Sequence, residues 1–132
     1  MILVANLLSG LRILILEDEY LIAMDIEQLC RDHGAVDVVI ASRLSDLDGA
    51  KAAAQFDAAV LDIMIGGEST LAFAGEIKEK GVPFIFASGY TDTQEIFEAF
   101  PGVILVGKPY SGADLVEALA TACGRAPASS GV

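Results

Sequence analysis

Ala58-Ala59-Val60-Leu61-Asp62-Ile63-Met64 is a short apolar run that meets a carboxylate at Asp62, and its reading decides the fold. An unbroken Ala/Val/Leu segment fits a strand covered on both faces, and Gly66-Gly67 just beyond it marks a turn. Asp62 therefore stands at a strand's C-terminal tip. In an open α/β sheet, ligands bind in the crevice beyond those tips, which makes a carboxylate there a candidate for chemistry. The plainer alternative is an Asp that caps the following turn or helix.

Outward from this run, strand-like and helix-like segments alternate five times. Leu11 to Leu16 is apolar and closes in Glu17-Asp18-Glu19; Ile22, Ile26, Leu29 and Cys30 then recur at helical spacing as far as His33-Gly34. Val36 to Ala41 is the second strand, and Ser45 with Asp48 resembles a capping box before a weak helix through Ala52-Ala53-Ala54. After the Asp62 strand a helix is predicted from about Glu68 to Lys80, with Phe73, Ala74 and Ile77 on one face. Gly81-Val82-Pro83 breaks it, and Phe84 to Ala87 is a fourth buried strand ending in Ser88-Gly89-Tyr90. Thr91 with Gln94 fits a cap for a helix carrying Ile96, Phe97 and Phe100. Val103 to Val106 is the fifth strand and runs into Gly107-Lys108-Pro109; Ser111 with Asp114 caps a last helix bearing Leu115, Ala118, Leu119 and Ala122.

Strict alternation with unpatterned apolar strands predicts an α/β fold: a five-stranded parallel sheet with helices on both faces. Five strands suit the doubly wound, flavodoxin-like order 2-1-3-4-5, whose switch point lies between strands 1 and 3. The predicted organisation is an apolar N-terminal leader over 1–10, one domain over 11–125 and a flexible tail over 126–132.

Composition narrows the function. At 132 residues and 54% hydrophobic content the chain fits one domain with a real core. A formal charge of -11 repels phosphate backbones and anionic lipid, which argues against direct nucleic-acid or membrane binding. The leader Met1-Ile2-Leu3-Val4-Ala5-Asn6-Leu7-Leu8 lacks a basic flank and is too short to span a bilayer, so a soluble cytoplasmic protein is expected. Cys30 and Cys123 lack metal-site spacing and read as buried thiols, and His33, the sole histidine, reads as structural.

The sheet order carries a chemical consequence. Glu17 and Asp18 end strand 1, Asp62 strand 3, Ser88 strand 4 and Lys108 strand 5, so all five groups converge on one crevice. Three crowded carboxylates repel unless a cation sits among them, and an all-oxygen donor set suits a hard ion such as Mg2+, which keeps waters for a phosphate. Lys108 supplies a point charge and Ser88 a hydroxyl for other oxygens of that phosphate, and an Asp oxygen is a competent phosphoryl acceptor. Taken singly, each has a bland reading: a solvated lysine, a Ser-Gly turn, a helix N-terminal acidic cluster. Their joint placement, one group at each tip beside the switch point, favours phosphoryl chemistry.

Ile15-Leu16-Glu17-Asp18-Glu19, Val60-Leu61-Asp62, Ala87-Ser88-Gly89 and Lys108-Pro109 resemble, in order and spacing, the motifs of the receiver domain of bacterial two-component response regulators, over about Leu11 to Arg125. The resemblance implies that Asp62 is the phosphoacceptor and Asp18 a direct Mg2+ ligand. It also implies that Glu17 reaches the metal through water and that the Met64 backbone carbonyl completes the ligand set. Ser88 is similar to the family's switch hydroxyl, Lys108 to its phosphate-pairing lysine, and Pro109 to the proline that follows a cis bond there. Pro83 to Tyr90 further resembles an alphaproteobacterial subgroup. Implied partners are a sensor histidine kinase or histidine phosphotransfer protein and an unknown downstream protein, with the chain a monomer or weak dimer.

Leu105 departs from the pattern, because the family usually places an aromatic rotamer switch three residues before the lysine. Tyr90 is the substitute that this sequence offers for output. Three other readings stay open: the receiver piece of a longer regulator, a module that keeps the pocket without being phosphorylated, and an Asp-nucleophile phosphatase. The last needs a second Asp two positions after the nucleophile, where this chain has Met64.

Overall fold

The computed structural model describes residues 6–47, 49–89, 94–107 and 111–125, with the backbone alone described at 49, 50, 53 and 88. The elements run β1 (Arg12–Leu16), α1 (Tyr20–Asp32), β2 (Asp37–Ala41), α2 (Gly49–Gln55), β3 (Ala58–Leu61), β4 (Met64–Ile65), β5 (Glu68–Ser69), α3 (Leu71–Glu79), β6 (Phe84–Ser88), α4 (Gln94–Ala99), β7 (Ile104–Gly107) and α5 (Gly112–Ala122). Five strands form one sheet in the order β2-β1-β3-β6-β7, all parallel. Without the small β4-β5 pair, this is the predicted 2-1-3-4-5 order.

The inner strands β1, β3 and β6 are almost wholly apolar because both of their faces are covered, whereas edge strand β2 leaves Asp37 and Val39 exposed. Leu14, Leu16, Ala59, Leu61, Phe84 and Phe86 point to one side, where Phe73, Ala74 and Ile77 of α3 and Ile96 of α4 meet them. Ile13, Ile15, Ala58, Val60, Ile85 and Ala87 point to the other, against Ala23, Ile26 and Cys30 of α1 and Leu115 and Leu119 of α5. Alternate side chains of a strand face opposite sides, so a strand with a core on each side must be apolar throughout. Phe84, Phe86 and Phe100 stack edge to face at centroid distances of 5.4 to 5.8 Å.

Several predicted details change. The helix expected from Glu68 begins at Leu71, because Glu68–Ser69 pairs antiparallel with Met64–Ile65. Gly66 and Gly67 make this possible: with φ of 57° and 83° both occupy the left-handed region that a tight two-residue hairpin turn demands. Ser45 sits inside a short 3-10 turn, Leu44–Asp46, rather than at a helix cap. Phe97 is 43% exposed, since it lies one residue, about 100° of helical turn, beyond Ile96 on α4. Cys123 is only half-buried. Asp48 and Thr91, the other halves of two predicted caps, lie outside the described residues. Ser111 does cap α5, its hydroxyl accepting from the Asp114 N–H at 3.0 Å.

Residues 6–10 pack onto the domain. Leu8 is completely buried beside Leu11 and Cys30, and its N–H donates to the His33 carbonyl at 2.9 Å. Arg125 Nη1 donates to the carbonyls of Leu7 and Ser9, tying the segment just after α5 to residues 7–9. The leader's first five residues and the tail 126–132 lie outside the described residues. Among the described residues no helix is long and apolar enough to cross a membrane.

Candidate metal and phosphoryl site

Parallel pairing of β1 with β3 brings Leu16 level with Leu61, so the residues that follow each strand emerge side by side. The register continues one step past the strands, where the Asp62 N–H donates to the Leu16 carbonyl at 3.0 Å. Glu17, held on the other side by its N–H to the Ala41 carbonyl, is buried, with 3% of its surface exposed. Its Oε2 accepts from the Glu19 N–H at 3.1 Å. Asp18 is exposed, and its Oδ2 accepts from the Gly66 N–H at 2.9 Å. Asp62 is partly buried.

These three carboxylates come together: each offers an oxygen, and the three atoms lie within 4.8 Å of one another. Three negative charges at that spacing repel in a partly desolvated crevice, and a divalent cation among them would offset that repulsion. Oxygen-only donors fit a hard ion such as Mg2+ rather than zinc or copper. The residues present therefore suit the ion that the sequence implied.

The other predicted groups are placed less fully. Ser88 is the last residue of β6, level with Gly107 at the end of β7, so its backbone lies at the same edge of the sheet. Its side chain, and Tyr90, Lys108 and Pro109, lie outside the described residues. Met64 opens β4 with its side chain 40% exposed. Leu105 is half-buried in β7, opposite Phe86.

Thr70 escaped the sequence reading. It is completely buried at the N-cap of α3, but its hydroxyl turns back to the carbonyls of Asp62 at 2.5 Å and Ile63 at 3.1 Å. The signal was present: a Ser or Thr just before an apolar helical run marks a helix start, which would also have corrected the boundary at Glu68.

No protein-family model and no curated protein matches the sequence. Solved structures do. A response regulator receiver protein from Sinorhizobium medicae superposes with a TM-score of 0.71 at 25% identity, over 89% of this chain and 97% of that one. The chain has the fold of response-regulator receiver domains. Two further receiver domains agree. That of PhyR from Erythrobacter litoralis has a TM-score of 0.68 at 24% identity, over 86% of this chain and 90% of that one. The receiver domain of the sensor histidine kinase PA1611 from Pseudomonas aeruginosa, described with a magnesium ion coordinated in its active-site cleft, has a TM-score of 0.66 at 23% identity, over 88% and 99%. Receiver domains are modules of two-component signal transduction rather than classical enzymes.

Proposed function

We propose that this receiver domain accepts a phosphoryl group on Asp62 from a histidine kinase or histidine phosphotransfer protein and signals through protein contacts. The observation that carries the reading is the meeting of Glu17, Asp18 and Asp62 oxygens within 4.8 Å at the sheet's switch point. Mg2+ held by Asp18, Asp62 and the Met64 carbonyl, with Glu17 acting through water, would neutralise phosphate charge there.

The chain's own groups then have definite tasks. An Asp62 oxygen attacks phosphorus, the bond from phosphorus to the donor imidazole nitrogen breaks, and the electron pair leaves with the imidazole. Ser88 donates a hydrogen bond and Lys108 a positive charge to the transferred oxygens. Leu105 cannot act as an aromatic switch, which leaves Tyr90 as the residue that transmits the modified state. The resemblance of Pro83 to Tyr90 to the alphaproteobacterial subgroup supports a sensor histidine kinase as donor. The functional unit runs over 11–125, with residues 6–10 packed beneath it.

Incubation with acetyl phosphate and MgCl2, followed by intact-mass measurement, tests the proposal. A phosphoryl adduct on the wild type that disappears in Asp62→Asn and in EDTA is expected. An unmodified wild type, or an adduct that survives Asp62→Asn, refutes it.

A further inference from the structure

We infer that Thr70 is a positioning residue for the acidic cluster: the hairpin it closes fixes the Asp18 carboxylate relative to Asp62. The inference rests on the proposed function only in taking the cluster as a cation site.

The loop from Asp62 to Thr70 is tied at both ends. At its base the Thr70 hydroxyl shares its proton between the Asp62 and Ile63 carbonyls, and the Thr70 N–H donates to Ile63 as well, at 2.9 Å. At its tip the Gly66 N–H holds Asp18 Oδ2. Between these points Ile63 and Ile65 are buried, so the hairpin is anchored in the core and cannot swing as a free loop. One short β-ribbon therefore connects the two carboxylate-bearing strand tips, and Thr70 is its fastening. A helix N-cap would ordinarily spend its hydroxyl on the helix's own N–H groups. Here that duty falls to Ser69, whose Oγ accepts from the Leu71 N–H at 3.2 Å, and the Thr70 hydroxyl goes to the Asp62 and Ile63 carbonyls instead.

The consequence concerns ion choice. Mg2+ demands short, near-octahedral coordination, whereas Ca2+ tolerates longer and irregular distances. Groups that orient metal ligands without touching the ion typically set affinity by about 10–100-fold. A ribbon that fixes Asp18 against Asp62 thus favours the smaller ion, and loosening it weakens Mg2+ more than Ca2+.

Calorimetric titration of the full chain, stripped with EDTA, with MgCl2 and with CaCl2 tests this. Thr70→Val keeps the shape and removes the hydroxyl; its Mg2+ affinity is expected to fall about ten-fold, with a smaller loss for Ca2+, so that the Mg2+/Ca2+ ratio falls. Thr70→Ser is expected to restore both. Melting temperatures in EDTA separate any general loss of stability from the change in ratio. Should Thr70→Val not fold, the exposed tip decides: an added Cβ at Gly66 meets nothing within 4 Å, so substitutions there act through the left-handed backbone alone. Gly66→Val is then expected to weaken Mg2+ binding and Gly66→Asn, which tolerates that conformation, to preserve it. A wild type that binds Mg2+, with Thr70→Val or the Gly66 pair matching it in affinity and ratio, overturns the positioning role and leaves the proposed function standing. A wild type that binds no Mg2+ overturns both.

Discussion

Arg12 and Asp57 form a forked ion pair at the pole of the sheet opposite the acidic cluster. Arg12 Nε and Nη2 reach the two Asp57 oxygens at 3.1 and 3.0 Å, and the Arg12 backbone N–H adds a third bond at 2.9 Å. The side-chain hydrogen bond, followed by the backbone one, holds the Asp57 carboxyl below the usual carboxylate range. A depressed folded-state pKa stabilises the protein above the unfolded value and ceases to do so as pH falls through the folded one. Asp57→Asn is therefore expected to lower the urea midpoint at pH 7, with the gap to wild type closing below about pH 4. A gap that stays constant down to pH 3 contradicts this.

Leu8 tests whether the N-terminal turn belongs to the domain. A fully buried leucine truncated to alanine costs about 2–5 kcal/mol, whereas a loosely attached leader would cost nothing. Leu8→Ala should lower the unfolding free energy by that amount, moving the denaturant midpoint down with an unchanged slope, which urea unfolding followed by circular dichroism measures.

Mg2+ should stabilise the fold through the acidic cluster. A ligand that binds only the native state at a hundred times its Kd adds about 2.7 kcal/mol. Thermal melts in MgCl2 against EDTA should show a clear rise in Tm for the wild type, and Asp18→Asn should lose most of it. An equal rise in both places the ion elsewhere.

The two thiols should differ in reactivity. Burial pushes the Cys30 thiol up to about 12 and raises that of the half-buried Cys123 as well. Alkylation at pH 8 followed by mass spectrometry should label Cys123 slowly and leave Cys30 untouched until urea is added. Rapid labelling of Cys30 in the native protein would contradict its burial between α1 and the sheet.

Phe97 and Phe86 give a matched pair. Phe97→Ser, on the exposed side of α4, should leave stability within about 0.5 kcal/mol, and Phe86→Ala, the completely buried member of the aromatic trio, should cost about 3–5 kcal/mol. Chemical denaturation of both variants checks the contrast.

The sheet was legible in the chain because its signals are local: five short, mostly apolar runs, interrupted only by Arg12 and Asp37 and each stopped by a polar residue or a glycine, can pack as a covered sheet in few ways. The same logic predicted that Glu17, Asp18 and Asp62 meet, since strand order alone puts the tips of strands 1 and 3 together. The β4-β5 hairpin was not legible. Two-residue strands leave no periodicity to read, and Glu68-Ser69 is equally plausible as a helix start. Nor could spacing show that Thr70 turns its hydroxyl toward Asp62 rather than toward α3, or that Gly66 reaches Asp18 across 48 residues of chain. Sequence determined the strands of the main sheet and which carboxylates share an edge, because backbone periodicity and parallel pairing are nearly sufficient for that. Only the tertiary structure decided how those carboxylates are held, because a side chain's hydrogen-bond partner depends on whatever the folded chain places within about 3 Å of it.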